Sequence, residues 1–305
     1  MKRIKIIFIL IPLLFNKAFG QQDPMFSQYW VNAQIINPAQ AGADGKAYLN
    51  VTGRYQWVNV KGAPKTHSIS WNTMTNKKIG LGASYVLDRV GPSTTHNLNF
   101  DFAYYLRLND NWNITAGVRV TALVNQLNFV DFYTVKPGDP LFSQNENSGV
   151  RPNGGFGFLI SSKKLYFGYS QPRVVKYSFG SGATANNTNI VSHQFAYAGL
   201  NQRINADLQF RPSILFKTVE NAPLQFDFNT AFEIKEKLIL GLSYRTGDGI
   251  GAMVGLLNMA NLDFYYCYDY PLSAISQISK QTHQITLNLA LTKDVRRVNS
   301  PRYFN

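Results

Sequence analysis

The stretch LNFDFAYYL, at residues 98–106, decides the fold. Its large apolar side chains alternate with smaller or polar ones: Leu98, Phe100, Phe102, Tyr104 and Leu106 share one parity, and Asn99, Asp101 and Tyr105 share the other. Successive side chains of a β-strand point to opposite faces of the sheet. The stretch therefore predicts a strand with one apolar and one polar face.

The same alternation recurs along most of the chain. It is clear in AYLNVTGRYQW (47–57), WNITAGVRV (112–120) and LQFDFNTAF (224–232), where charges such as Arg119 and Asp227 fall on the polar parity. The sequence predicts about fourteen such strands. They lie at residues 47–57, 66–74, 78–88, 95–107, 112–125, 151–161, 164–171, 191–202, 207–218, 223–233, 238–246, 250–257, 261–270 and 281–292.

Composition favours a membrane barrel. The 305 residues are 45% hydrophobic, but after residue 20 no uninterrupted apolar stretch is long enough for a spanning helix. Alternating segments of about ten residues, even in number, are typical of bacterial outer-membrane barrels. The predicted fold class is all-β, a transmembrane antiparallel β-barrel of about 14 strands. The alternative is a soluble β-sandwich, whose exposed Phe, Leu and Tyr would aggregate in water unless covered.

The lengths of the connections support this strand count. If both chain ends lie in the periplasm, every second connection is a periplasmic turn, and all of those are short. The three long connections, 126–150, 171–190 and 271–280, all fall on the predicted outer side. With a wrong strand count, the long connections would fall on both sides of the membrane.

Residues 1–20 have the features of a secretory signal peptide. Lys2, Arg3 and Lys5 precede an apolar run at residues 6–15, and Ala18-Phe19-Gly20 gives a cleavage pattern of small residues. An N-terminal membrane anchor is the alternative, but the run is shorter than the roughly 18 apolar residues that a spanning helix needs. The mature chain is predicted to begin at Gln21.

Residues 21–46 follow neither the helical nor the strand period. They hold enough apolar surface to need a place to pack, namely Phe26, Tyr29, Trp30, Ile35 and Ile36. Just before the first strand, such a segment suits a plug in the lumen or at its periplasmic mouth. Asn37-Pro38 predicts a turn, and Gly42 and Gly45 allow a tight path into the barrel, residues 47–292. A disordered arm is the alternative.

No motif for catalysis, metal binding or cofactor binding stands out. No HxH or HxxxH spacing brings the four histidines together, so we interpret His67, His96, His193 and His283 as interfacial polar residues. A lipid hydrolase of the known kind would have a serine two residues from a histidine on one strand, and none of the four has one; a serine from another strand is the alternative. Cys267, the single cysteine, is interpreted as an inert packed thiol. The prediction is a protein that is not an enzyme.

The net charge of +13 raises the question of nucleic acid, but no patch interleaves aromatic with basic residues. Part of the charge lies in the tail, residues 293–305, as Lys293, Arg296, Arg297 and Arg302. This tail is predicted to face the periplasm, either as a solvated end or as a docking peg for a periplasmic partner.

The N-terminal motifs resemble those of the PorP/SprF family of Bacteroidota outer-membrane proteins. The resemblance rests on Gln22-Asp23-Pro24, Phe26-Ser27-Gln28-Tyr29, Asn32 and Asn37-Pro38-Ala39-x-Ala41-Gly42. Further matches are Arg54-x-Gln56-Trp57, Gly62-Ala63-Pro64-x-Thr66, Gly80-x-Gly82, Asp88-x-x-Gly91-Pro92 and Thr282-His283. They cover both ends of the chain, although the basic tail after Leu291 extends past the usual barrel end.

The resemblance implies a role in type IX secretion and, for some members, in gliding motility. Such barrels hold a secreted cargo or adhesin at the cell surface through its C-terminal domain, or link the secretion apparatus to periplasmic components such as lipoproteins. The triplet Asn37-Pro38-Ala39 also looks like the hatch motif of the related FadL-type barrels, which have fourteen strands. Phe26, Tyr29, Trp30, Asn37, Pro38, Ala39 and Gly42 are the expected plug residues.

Two main functions follow. The first is an interaction protein whose outer loops bind the secreted partner, with Arg151, Asn153, Arg173, Lys176, Tyr177 and Phe179 as candidate contacts. The second is a FadL-like channel for a hydrophobic small molecule, and a surface lipid hydrolase is a third. The polar parity is rich in Asn, Gln, Thr, Asp and Arg, which favours a filled, hydrogen-bonded interior and hence the first function.

Overall fold

In the computed structural model, fourteen long antiparallel strands build one sheet, within the described residues 23–43, 45–75, 78–129, 145–179, 188–220 and 222–291. They are β1 (Tyr48–Tyr55), β2 (Lys65–Met74), β3 (Ile79–Val90), β4 (Ser93–Arg107), β5 (Trp112–Leu127), β6 (Arg151–Ser162), β7 (Leu165–Gln171), β8 (His193–Leu200), β9 (Leu208–Val219), β10 (Gln225–Ile234), β11 (Leu238–Arg245), β12 (Gly249–Met259), β13 (Leu262–Pro271) and β14 (Thr282–Ala290). The predicted signal peptide and basic tail, with Lys293, Arg296, Arg297 and Arg302, lie outside the described residues.

The sheet closes on itself. Strand β1 pairs with β2 on one side and with β14 on the other, with Tyr48 opposite both Asn72 and Ala290. Strand β8 pairs with both β7 and β9, which completes the ring. Closure removes the free edges that would otherwise leave backbone N–H and C=O groups unpaired in hydrocarbon. The predicted 14-stranded barrel is confirmed.

Side chains alternate across the wall as predicted. On β4, Asn99, Asp101 and Ala103 are buried in the lumen, whereas Phe100 and Phe102 face outward with 56% and 43% of their surface exposed. Similar exposed apolar residues occur on the outward parity of the other strands. In water this face would be an aggregation site, but it matches the apolar band that a barrel presents to lipid.

The two ends of the barrel differ in their connections. At one end, here the turn end, the strands are joined by residues 75–78, 108–111, 163–164, 201–207, 235–237 and 260–261. At the other, the loop end, they are joined by residues 56–64, 91–92, 128–150, 172–192, 220–224, 246–248 and 272–281. Every long connection lies at the loop end, as predicted.

The wall is uneven in height. Strands β4 and β5 have 15 and 16 residues, whereas β7 and β8 have 7 and 8. After β7 the chain turns inward, so that Pro172 and Arg173 are buried. The amide of Val174 then donates to the Gly154 carbonyl at 2.8 Å, which ties this loop to β6.

Four short strands lie outside the ring: Glu146–Asn147, Tyr177–Phe179, Thr188–Ile190 and Gln202–Arg203. The helices in the described part are short 3-10 turns at Tyr29–Ile35, Pro38–Gln40 and Ala274–Gln277. None of them is long or apolar enough to cross a bilayer. The first strand is shorter than predicted, because the chain leaves β1 at Gln56 and Trp57 has a left-handed φ of 47°.

Candidate functional site

Residues 23–43, here the lumenal segment, lie inside the barrel. The segment starts at the loop end beside Arg173 and His193 and runs toward the turn end, where Ala41 and Ala43 pack with Met74. Of the expected plug residues, Phe26, Tyr29, Asn37, Pro38, Ala39 and Gly42 are buried, and Trp30 is partly buried. Burial raises the pKa of the Tyr29 hydroxyl well above its ordinary value, so Tyr29 stays neutral.

Asn37 is the best-anchored side chain of the segment. It is fully buried, and its Oδ1 accepts a hydrogen bond from the Ala39 amide at 2.8 Å, which caps the Pro38–Gln40 turn. Its Nδ2 donates to the Phe158 carbonyl at 3.1 Å and to the Tyr197 hydroxyl at 2.9 Å. One side chain thus fixes a local turn and joins it to β6 and β8.

Replacing Asn37 by alanine should destabilise the folded barrel by about 2 kcal/mol, because buried hydrogen-bond partners would lose the side chain that satisfies them. Urea unfolding of the purified barrel in micelles measures this change. Asn147→Ala is the matched control: Asn147 makes a similar contact with an amide two residues ahead, Gly149 N–H at 2.9 Å, but is exposed. Equal losses in the two variants would contradict the anchoring role of Asn37.

Glycines on the lumenal face of the wall let the segment approach the strands closely. A Cβ atom on Gly117 of β5 would lie 2.6 Å from Cα of Ala39 and would overlap the Ala39 nitrogen. A Cβ on Gly80 of β3 would overlap the Ala41 carbonyl oxygen, and one on Gly157 of β6 would overlap Oδ1 of Asn37. The segment therefore rests on the backbone of three strands, at positions where no side chain fits.

Arginines from the wall hold the segment at several points. Arg119 forms a buried pair with Asp101, with Nε to Oδ1 at 2.6 Å and Nη2 to Oδ2 at 2.9 Å. The same guanidinium donates to the Ile35 carbonyl at 2.7 Å and to the Gln34 carbonyl at 2.6 Å. These carbonyls end the Tyr29–Ile35 helix, where a cation satisfies unpaired acceptors.

Three more arginines act on the loop-end half of the segment. Arg245 pairs with Asp227 at 2.9 Å and donates to the Phe26 carbonyl at 3.0 Å. Arg54 pairs with Asp269 at 2.7 Å and donates to the Ser27 hydroxyl. Arg173 forms an ion pair with Asp23 of the segment itself. Arg54, Asp101, Arg119 and Asp227 are thus distributed over three separate pairs.

His193 corrects the interpretation of the histidines. It is buried in the lumen, and its Nε2 accepts from the Asp23 amide at 3.0 Å, so it is not an interfacial residue. The misassignment arose because β8 is apolar on its lumenal parity, which His193 shares with Phe195 and Tyr197. His96 and His283 do lie on the outer parity, bonded to the hydroxyls of Tyr85 and Tyr266. No cluster of three metal-binding side chains occurs among the described residues.

Apolar clusters interrupt the polar lining of the lumen, which the sequence did not predict. Asn, Ser, Thr and Asp line β1 to β5 and β14, but an apolar wall faces Tyr29 and Ile36 with Leu159, Phe195 and Leu215. A second apolar cluster joins Val31 to Ile239, Met253, Leu257, Tyr265 and Cys267. The sequence predicts a filled, hydrogen-bonded interior, and in the structure these apolar clusters lie beside the hydrogen-bonded groups. The lumenal segment covers the apolar wall, and burial of that apolar surface stabilises the segment in its position inside the barrel.

A vestibule of about 520 Å³ lies between the segment and the loop-end connections. The segment contributes Asp23, Pro24 and Met25 to it, and the wall contributes polar groups such as Asp88 and Asn125. This volume lies within the range of about 300 to 1,000 Å³ that is typical of ligand sites.

The six candidate contact residues have different roles. Asn153 is buried and accepts from the amides of Val174 and Val175, both at 3.1 Å, so it holds the loop after β7. Arg173 points inward to Asp23. The remaining four lie at the loop end: the Arg151 guanidinium stacks 5.8 Å over the Tyr177 ring, exposed Lys176 pairs with Glu220, and Phe179 ends the short strand Tyr177–Phe179.

Comparison with known proteins gives matches of two kinds. A family model described as "Type IX secretion system membrane protein PorP/SprF" matches residues 18–289. No curated protein matches. Among solved structures, the toluene transporter TbuX of Ralstonia pickettii is similar at 12% identity and a TM-score of 0.51, covering 85% of this chain and 93% of its own. A FadL homologue of Pseudomonas aeruginosa has 11% identity and a TM-score of 0.48, covering 90% and 96%.

Proposed function

We propose, since this chain belongs to the PorP/SprF family of type IX secretion system membrane proteins, that it holds a secreted protein at the cell surface. The chain is an outer-membrane β-barrel, and the observation that carries the proposal is the division of its lumen. The lumenal segment fills the middle of the barrel, and the vestibule lies on its loop-end side. Such an arrangement suits a receptor for a protein segment.

The loop end is proposed to face the cell surface. In bacterial barrels the short turns lie in the periplasm and the long loops outside, and here all long connections share one end. The turn end, which carries Lys163, Lys164 and Arg203, would then face the periplasm. A secretion-system lipoprotein is a proposed partner there, and binding of either partner needs no catalysis by this chain.

The proposed surface contact is the rim around β6 and the loop after β7. Val150, Val174 and Val175 are exposed there, next to Arg151 and the Lys176–Tyr177 dipeptide. Exposed apolar residues beside an arginine and a tyrosine are a composition that protein interfaces favour. The proposed cargo is a secreted protein with a type IX C-terminal domain, such as an adhesin.

Gentle-detergent co-purification from the native outer membrane tests the proposal. The wild-type barrel should bring down a large secreted protein, and a variant with Val174→Ser, Val175→Ser and Lys176→Ala should bring down several-fold less, since interface centres carry most of the binding energy. Ile204→Ser, an exposed apolar residue at the turn end, is the control. A barrel recovered alone that lets toluene or fatty acid enter liposomes would contradict the proposal and favour the FadL-like channel.

A further inference from the structure

Asp88 differs from five other acidic groups of the lumen. Five lumenal carboxylates have an arginine partner within 4 Å: Asp23, Asp101, Asp227, Asp269 and Glu233, paired with Arg173, Arg119, Arg245, Arg54 and Arg211. In the part of the chain that the structure describes, no cation pairs with Asp88. Its hydrogen-bond partner there is the Thr66 hydroxyl, which donates to Oδ1 at 2.6 Å.

Asp88 is held rigidly and faces the vestibule. It is 8% exposed, close to the loop end of β3, and lies opposite Thr66 on β2 and Thr95 on β4. Asp88, Thr95 and Asn125 all line the vestibule. Thr95 already has a partner, because its Oγ1 accepts a hydrogen bond from the side-chain Nδ2 of Asn125 at 2.9 Å. The second carboxylate oxygen, Oδ2, accepts no hydrogen bond from the described residues.

Charges elsewhere around the vestibule balance. Arg173 is matched by Asp23, and Arg245 by Asp227 and Asp248. Lys217 lies close enough to Asp227 and Asp248 to interact with both electrostatically. Because buried charges in proteins are normally paired, Asp88 gives the vestibule one carboxylate that has no cation partner among the described residues.

We propose that Asp88 receives a lysine or arginine side chain from a protein segment that enters the vestibule. This inference rests on the proposed function, because the segment belongs to the secreted protein held at the loop end. The vestibule is large enough for a few residues of an extended chain, and a rigid carboxylate in a concave, low-dielectric site binds a cation far better than one on an open surface. Asp88 would thus act as a specificity determinant.

The charge preference of the vestibule can be measured with small probes. Ser93, which lines the vestibule one step beyond Thr95 on the same face of β4, is changed to cysteine in a Cys267→Ala background. The thiol is then treated with trimethylammonium-ethyl or sulfonatoethyl methanethiosulfonate, which carry opposite charges. The cationic reagent should react faster, and Asp88→Asn should lower the ratio of the two rates by about fivefold or more. A ratio that Asp88→Asn leaves unchanged would overturn the inference.

Co-purification provides the second readout. Asp88→Asn keeps the Thr66 contact and the shape of the site, so the barrel should insert normally but recover about fivefold less of the secreted protein, a loss on the scale of one ion pair. Asp110→Asn, an exposed carboxylate at the turn end, is the control. Equal recovery on wild type and Asp88→Asn would overturn this inference alone. Recovery of no secreted protein on wild type would instead overturn the proposed function.

Discussion

Valine in place of Gly117 is expected to unseat the lumenal segment and open the barrel. The segment passes over Gly117 so closely that a single Cβ would overlap the backbone nitrogen of Ala39 and lie 2.6 Å from its Cα. These are backbone atoms of the Pro38–Gln40 turn, which cannot rotate out of the way as a flexible side chain would. The two methyl groups of valine increase the overlap, whereas β5 itself accepts a β-branched residue readily.

The effect should be large because the seated and displaced states compete directly. Overpacking of about 3 kcal/mol would raise the population of the displaced state about a hundredfold. Single-channel recording in planar bilayers should detect this as openings that are far more frequent than those of the wild-type barrel. Protease sensitivity near residues 23–43 gives an independent readout.

Gly154→Val is the control for Gly117→Val and places the same side chain on the outer face of the wall. Gly154 lies on the neighbouring strand β6, and the nearest atom to a Cβ there is the Arg119 carbonyl oxygen, at an ordinary 3.6 Å. This variant should keep the wild-type conductance. Similar openings in both variants would mean that valine disturbs the wall rather than the segment.

Replacing Arg119 by methionine is expected to cost about 3 to 5 kcal/mol of folding stability, the cost of breaking a buried ion pair on one side. The change leaves the Asp101 carboxylate, whose side chain is 0% exposed, without its counter-charge. It also removes the donors that satisfy the Gln34 and Ile35 carbonyls. Urea unfolding in micelles measures the loss.

Two comparisons isolate the buried charge from the lost side chain. Arg107→Met removes the arginine of a pair with Asp110 that lies exposed at the turn end, so the stability should stay close to wild type. The double variant Asp101→Asn with Arg119→Met should be more stable than Arg119→Met alone, because the stranded charge is gone. A double variant that is less stable would show that packing, and not charge, dominates at this position.

Local alternation explains how much of the fold was predictable. Each strand crosses the membrane once and faces lipid on one parity. A stretch such as residues 98–106 can therefore be assigned as a strand from its own sequence, without knowledge of its neighbours. The strand ends are harder to predict from the sequence because they depend on the connections. Trp57 shows this, since it continues the alternation of β1 but lies in a turn with positive φ.

The interior was less predictable because its contacts are non-local. Arg119 looked like any polar-parity residue, although its partners on the segment, Gln34 and Ile35, lie about 85 positions earlier in the sequence. Gly117 and Gly157 look like ordinary strand glycines until the lumenal segment is placed over them. The assignment of His193 to the interface is wrong because the lumenal parity of β8 is apolar, and its sequence pattern is the same as that of a lipid-facing parity. The signals for the segment in the sequence are the aperiodic apolar stretch at residues 21–46 and the Asn37-Pro38-Ala39 motif.

The position of the lumenal segment in the chain constrains how the molecule can be made. The segment precedes β1, and the ring closes only when β1 pairs with β14, the last strand to be synthesised. Its bulky residues, Tyr29 and Trp30, lie deep inside the finished ring. If they entered the lumen after the ring had closed, the arginine pairs and the close contacts at the glycines would have to form in a confined space. A simpler order is that the strands pair around the lumenal segment, which is synthesised first and acts as a template for the barrel.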